Sequence, residues 1–281
     1  MARVLRRRFL TLFAAAGLSA CTAAPGPAPS PSGASPGSPA VSASSAAGAS
    51  TRELDFNRGG DRPLPTKVWL PAGPGPHPLI YFSHGLTSQP DDYADLLAAW
   101  AGAGFVVAAP KYPHTWYGAT AFNADDVVNQ PADAQSVITG LLTALDGVVD
   151  PQRVAAAGHS AGAITTVGLL TGSRDERLRA GLLIAGRQTA QPAPFTGTPA
   201  PLLFVQGKQD ETVTYEQAYG AYNEVPWPKA FLEIPDGGHL PHRDEPAVVA
   251  ATTTDFWLWA LRGDQAAKQR MSRSAGLTGT L

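Results

Sequence analysis

The sequence predicts an α/β protein in which a mostly parallel sheet is covered by helices. Three observations carry this. Short apolar runs bounded by Gly or Pro recur along the chain; segments with helical apolar spacing lie between them; and the composition, 44% hydrophobic and 16% charged, is that of a globular protein. Only the stretch from Thr51 to Arg262 shows the alternation, so one domain is expected over 51–262.

What precedes that domain reads as an address. Arg3, Arg6, Arg7 and Arg8 lead into an apolar run from Phe9 to Ala20, too short to span a bilayer but the size of a signal-peptide core. Leu18-Ser19-Ala20-Cys21 resembles the bacterial lipoprotein signal, in which the cysteine after a small residue is lipidated and becomes the new N-terminus. Arg6-Arg7-Arg8-Phe9-Leu10 is similar to the twin-arginine export motif. Residues 1–20 are therefore expected to be a signal peptide, with Cys21 the site of lipidation. The expected location is the extracytoplasmic face of a bacterial cell membrane. Cys21 is the only cysteine, so no disulfide can form within the chain. Residues 22–50 are Ala, Pro, Ser and Gly save for Thr22 and Val41, with too little apolar bulk to offset their ordering entropy. A disordered linker over 21–50, spanning about 30 Å, is expected.

The domain then unfolds element by element. Glu53–Phe56 and Lys67–Leu70 suit antiparallel strands at the front edge of the sheet. Leu79–Phe82, Phe105–Ala109, Val154–Ala157, Leu182–Ala185, Leu202–Val205 and Ala230–Ile234 are the buried strands. Tyr93, Leu96, Leu97 and Trp100 fall at i, i+3, i+4 and i+7 of a helix. Val137, Ile138, Leu141, Leu142 and Leu145 repeat the pattern, Ile164 to Thr171 does so less regularly, and a last helix after Pro246 holds Phe256–Trp259. Residues 263–281 are polar and aperiodic and are expected to fray. The net charge of −2 is mildly acidic and gives no electrostatic footprint for nucleic acid.

The chemistry is carried by Gly158-His159-Ser160-Ala161-Gly162. As a bare pentapeptide it is weak, but it follows a strand and precedes a helix, the context of a nucleophile elbow. The glycines permit a tight turn that lifts the Ser160 hydroxyl clear of the sheet at a helix N-terminus. A serine needs a base, and after the strand ending at Ile234 stand His239 and His242. His239, after the flexible Pro235-Asp236-Gly237-Gly238, is placed to swing over Ser160, with His242 as the alternative. Asp210 or its neighbour Glu211, beyond the strand ending at Val205, supplies the acid, and the spacing favours Asp210. Oxyanion donors are expected from the N–H groups of Ala161 and of Leu86, the latter in the turn Ser83-His84-Gly85-Leu86-Thr87. His84 and His159 are read as structural. In the loop 111–130, Trp116 and Tyr117 either form an apolar platform for an acyl or aromatic group or cover the sheet edge.

Taken together, residues 52–262 resemble the α/β-hydrolase superfamily, in which the His84-Gly85 turn, Ser160, Asp210 and His239 occur in this order. Gly104–Pro110 and Asn129–Asp133 are similar to the dienelactone-hydrolase-like branch, which is close to platelet-activating-factor acetylhydrolases, chlorophyllases and cutinase-type polyester hydrolases. True dienelactone hydrolases carry a cysteine where this chain has Ser160, so the resemblance implies a serine ester hydrolase. Only about fifteen residues join the strands on either side of 186–200, so no cap domain is expected and the site should be open, suited to short-chain, exposed or polymeric esters. An acyltransferase or peptidase using the same triad, or a binding protein that kept the fold, are the alternatives. No cofactor and no metal is expected, since His239 and His242 lack a third ligand at suitable spacing. The expected partners are an ester substrate and, through Cys21, the membrane; the chain is expected to be a monomer.

Overall fold

The computed structural model describes residues 49–190 and 192–281. The signal segment, Cys21 and the linker as far as residue 48 lie outside the described residues. The rest is one nine-stranded sheet with helices on both faces. The front edge is the hairpin of β1 (Ser50–Asn57) and β2 (Pro63–Leu70), so Ser50, read as the end of the linker, opens a strand. Then follow β3 (His77–Ser83), α1 (Ala94–Gly102), β4 (Val106–Pro110), α2 (Gln130–Ala144), β5 (Val149–His159) and α3 (Ala161–Leu170). The second half is β6 (Leu178–Ile184), β7 (Leu202–Gly207), α4 (Tyr215–Glu224), β8 (Lys229–Ile234), α5 (Pro241–Asp244), α6 (Pro246–Arg262), α7 (Gln265–Met271) and β9 (Leu277–Thr280).

The strand order is β1-β2-β4-β3-β5-β6-β7-β8-β9. β4-β3-β5-β6-β7-β8 pair in parallel, and the outer pairings are antiparallel. The chain runs outward from β3 to β4 and returns to β5 on the other side of β3. That reversal opens a crevice at the carboxyl ends of β3 and β5, where open α/β sheets bind ligands.

The apolar runs are continuous because each parallel strand is buried on both sides. In β3, Leu79 and Tyr81 join the core under α2, α3 and α4, whereas Ile80 and Phe82 join the core under α1 and α6. β5 and β7 divide in the same way: Val154, Ala156 and Phe204 on the first side, Ala155, Ala157 and Val205 on the second. Between β6 and β7, residues 185–201 contain no helix among the described residues, and Phe195 packs edge-on against Trp227 at 5.4 Å. No cap rises over the sheet there.

A buried ion cluster ties the front hairpin to α2. Arg62 donates from Nε to Asp133 Oδ1 (2.8 Å) and from Nη1 and Nη2 to Asp126 (2.8 Å each), and Arg58 Nε reaches Asp133 Oδ1 at 2.6 Å. Asp133 is fully buried, so its charge is tolerable only with both guanidinium groups in place.

The expectation of a fraying tail over 263–281 does not hold. Gly263, at φ 72°, ends α6 in the left-handed region, and Asp264 caps α7 by accepting from the Ala267 N–H. Met271 is buried, and β9 pairs with β8 from Leu232↔Leu277 to Lys229↔Thr280. The segment is polar because α7 buries only Ala267 and Met271 and the edge strand β9 is largely exposed. Its order comes from a distant partner, which local periodicity does not report.

Candidate active site

β5 delivers His159 to the end of the sheet, and α3 starts at Ala161, so Ser160 alone makes the turn. It does so at φ 55°, ψ −117°, a conformation costly for a side-chain-bearing residue. The surroundings hold it there: the Ser160 N–H donates to Ile184 O (2.9 Å), and its carbonyl accepts from Ala163 N (2.9 Å) and Ile164 N (3.1 Å). Both glycines of the pentapeptide are sterically required. A Cβ on Gly158 would overlap the Gly162 carbonyl, and one on Gly162 would overlap the Ser83 carbonyl.

The structure brings Ser160, His239 and Asp210 together. His239 Nε2 lies 3.0 Å from Ser160 Oγ, and its Nδ1 lies 2.8 Å from Asp210 Oδ2. Asp210 is buried and held by three further donors. The N–H groups of Thr212 (2.8 Å) and Val213 (2.9 Å) reach Oδ1, and Gln206 Nε2 (3.2 Å) reaches Oδ2. With both oxygens accepting, Asp210 is an anchored acceptor for the imidazole N–H. Glu211, the alternative acid, is exposed.

The loop carrying His239 is fixed from both sides. Gly237 N donates back to Ile234 O (3.1 Å), Gln209 N donates to Gly237 O (2.9 Å), and Gly238 N donates to Asp244 Oδ2 (2.8 Å). His242, the alternative base, instead lies in α5 and stacks on Tyr93 with ring centroids 5.0 Å apart. It is buried, and neither ring nitrogen has a partner among the described residues. Burial pushes it down to about 4.

The turn after β3 lies directly against the elbow. A Cβ built on Gly85, the residue before Leu86, would sit 3.4 Å from Ser160 Cβ. Neither the Leu86 nor the Ala161 N–H donates a main-chain hydrogen bond among the described residues. His84 is buried and locks this turn: its Nδ1–H donates to Gly85 O (2.7 Å), and its Nε2 accepts from Tyr112 N (3.1 Å). Burial pushes its imidazole down to about 4, and this arrangement of one donor and one acceptor is that of a neutral ring.

The loop that carries Trp116 and Tyr117 is tied to the residues after Gly85. Thr87 N donates to Thr115 O (2.7 Å), and Gln89 Nε2 donates to the Tyr117 hydroxyl (3.1 Å). Gln130 and Thr165 brace the loop from below, with Gln130 Nε2 on Thr115 Oγ1 (2.9 Å) and Thr165 Oγ1 on Gln130 Oε1 (2.6 Å). Tyr117 is 63% exposed and meets Trp116 edge-on at 5.3 Å; Leu86 and Leu240 are also exposed, one on the turn after β3 and one next to His239. The apolar surface is thus open at the rim. Two cavities of about 530 and 510 Å³ lie elsewhere, one lined by Asp92, Tyr93 and His242 and one by Arg62 and His114. No group of three potential metal ligands occurs among the described residues.

Sequence reasoning missed three parts of this site: Tyr93, counted only as an apolar helix position; the bond from His159 to the His239 carbonyl; and Gln206 under Asp210. Gln206 left a trace, as a polar residue ending an otherwise apolar strand.

A mostly parallel sheet with a serine elbow after its fifth strand, a histidine over it and a carboxylate behind defines an α/β hydrolase. The chlorophyllase family model matches residues 47–192, just over half of the sequence, and the chain belongs to the chlorophyllase family, a family of carboxylic ester hydrolases. The matched stretch includes the Gly85 turn and Ser160 and ends before Asp210 and His239. Comparison with curated proteins gives no match.

Proposed function

We propose that this chain is a lipid-anchored, extracytoplasmic serine esterase that works through an acyl-enzyme. The observation that carries the reading is His239 bridging Ser160 Oγ and Asp210. His239 Nε2 takes the Ser160 proton as Oγ bonds to the ester carbonyl carbon. Asp210 holds the Nδ1–H tautomer and stabilises the imidazolium that forms. The carbonyl oxygen gains charge next to the Leu86 and Ala161 N–H groups, at the start of α3. Collapse breaks the bond to the leaving alcohol, which departs with the proton from His239. Water then attacks the acyl-Ser160 by the same route and releases the acid.

The open rim of Leu86, Tyr117 and Leu240 favours short-chain or exposed esters, polymeric ones included, over a lipid that must be enclosed. With p-nitrophenyl esters of two to twelve carbons, kcat/KM is expected to be highest for the short acyl chains. Turnover confined to the longest chains would overturn the open-site reading, and no turnover with any of them would overturn the esterase reading.

The anchor is supported by the order of arginines, apolar run, small residues and Cys21. Expressed in a bacterial host, the protein is expected in the membrane fraction and the Cys21→Ser variant outside it. A variant that stays with the membrane removes the lipid from the proposal.

A further inference from the structure

Three hydrogen bonds run in series behind the site. The Gly85 N–H donates to the Tyr93 hydroxyl (3.1 Å), the Tyr93 hydroxyl meets His159 Nδ1 (2.8 Å), and His159 Nε2 meets the main-chain carbonyl of His239 (2.7 Å). The ends of this chain fix its direction. A backbone N–H can only donate and a backbone carbonyl can only accept. His159 must therefore donate from Nε2, which leaves Nδ1 to accept, so the Tyr93 O–H donates to it. With His159 neutral, all three bonds are satisfied in this one direction.

The two ends sit on the two loops that carry the proposed machinery. Gly85 precedes Leu86 in the oxyanion-side turn, and the accepting carbonyl belongs to the residue whose imidazole lies over Ser160. We propose that Tyr93 and His159 are positioning residues that hold the oxyanion-side turn and the His239 loop in one register through this hydrogen-bonded chain. The inference rests on the triad reading above. Neither residue touches the reacting atoms; both act through others.

Burial supports the arrangement from another side. Tyr93 and His159 are 2% and 3% exposed, and burial pushes His159 down to about 3, so the imidazole stays neutral and keeps its acceptor nitrogen. The hydroxyl of Tyr93 is separable from its packing. Its ring lies 4.7 Å from that of Phe82 and 5.0 Å from that of His242, contacts that phenylalanine preserves.

Tyr93→Phe removes only the hydroxyl, and with it the bonds to the Gly85 N–H and to His159 Nδ1. It is expected to lower kcat on the order of tenfold to a hundredfold, because misplacing a reacting group by up to about 1 Å costs that much. KM should stay within about twofold, since no substrate contact is lost. Labelling of Ser160 by a fluorophosphonate should slow in parallel. His159→Gln keeps a donor near the Nε2 position and should retain more activity than His159→Leu, which has none. Unchanged kcat in folded Tyr93→Phe, or equal activity in the Gln and Leu variants, overturns the inference. Should the Leu variant fail to fold, Tyr93→Phe decides. Ser160→Ala is run alongside: if it retains activity, the triad reading itself fails, whereas an inactive Ser160→Ala beside a fully active Tyr93→Phe sinks only the positioning role.

Discussion

Ser160→Ala is expected to lower kcat for ester hydrolysis by at least ~10³-fold while leaving the protein folded. The hydroxyl has one side-chain partner, His239 Nε2 at 3.0 Å, and that imidazole is partly exposed, so water can replace the lost bond. The turn suffers no new strain, because alanine at φ 55° meets the same steric restriction as serine. What disappears is the proposed nucleophile. The two N–H groups and the apolar rim remain, and they set the residual rate. Asp210→Asn is the informative companion. Oδ1 accepts from two backbone N–H groups and Oδ2 faces His239 Nδ1, so an amide must aim its NH₂ at one set or the other. If the NH₂ faces His239, the ring takes the tautomer with hydrogen on Nε2 and cannot accept the serine proton. A loss approaching ~10⁴-fold follows for that arrangement. Steady-state kinetics with a short-chain ester, beside circular dichroism spectra of each variant, checks both. A Ser160→Ala variant within tenfold of the parent would remove Ser160 from the mechanism.

The elements that positioned this site were legible because their signals are local. A run such as Leu79–Phe82 is buried on both faces and reads as a strand wherever it is met, and the strand-turn-helix around Ser160 spans few residues. The order of serine, acid and histidine added long-range information, since each stands just beyond a recognisable strand. Other features were written into no local pattern. β9 is a strand because the free edge of β8 lies beside it, and α7 exists because Gly263 turns the chain back to bury Met271. Arg58 and Arg62 look like surface residues of a turn until Asp126 and Asp133, more than sixty residues away, are seen to meet them. Tyr93 and His159 followed the same rule: the sequence pattern reports that they are buried, but a hydrogen bond between residues 66 positions apart is a property of the folded sheet.

Acid is expected to destabilise this fold well before its carboxylates titrate. His84 and His242 are each pushed down to about 4, and His159 to about 3, in all three cases chiefly by burial. In the unfolded chain each takes up a proton near its ordinary value of 6.5. Between that pH and about 4 the unfolded state therefore binds more protons than the folded one, and stability falls as pH falls through this window. Above pH 6.5 the contribution is complete. With values of about 4, 3 and 4 in the fold against 6.5 in the unfolded chain, each imidazole costs roughly 2.5 kcal/mol by pH 4.5, together on the order of 7 kcal/mol, enough to lower Tm by about 15 °C. Asp126, whose carboxylate is held below its usual range by Arg62 and Asn129 against its own burial, adds to the loss only at lower pH. Thermal unfolding at pH 7.5 and 4.5 measures the slope, and His242→Phe apportions it. That ring has no hydrogen-bond partner among the described residues, so phenylalanine keeps the stack on Tyr93 and removes one proton from the balance. The variant should match or exceed the parent at pH 7.5 and lose less on acidification. Equal Tm at the two pH values would mean that the buried histidines are not neutral, and with that the fixed direction of the Gly85–Tyr93–His159–His239 chain would lose its support.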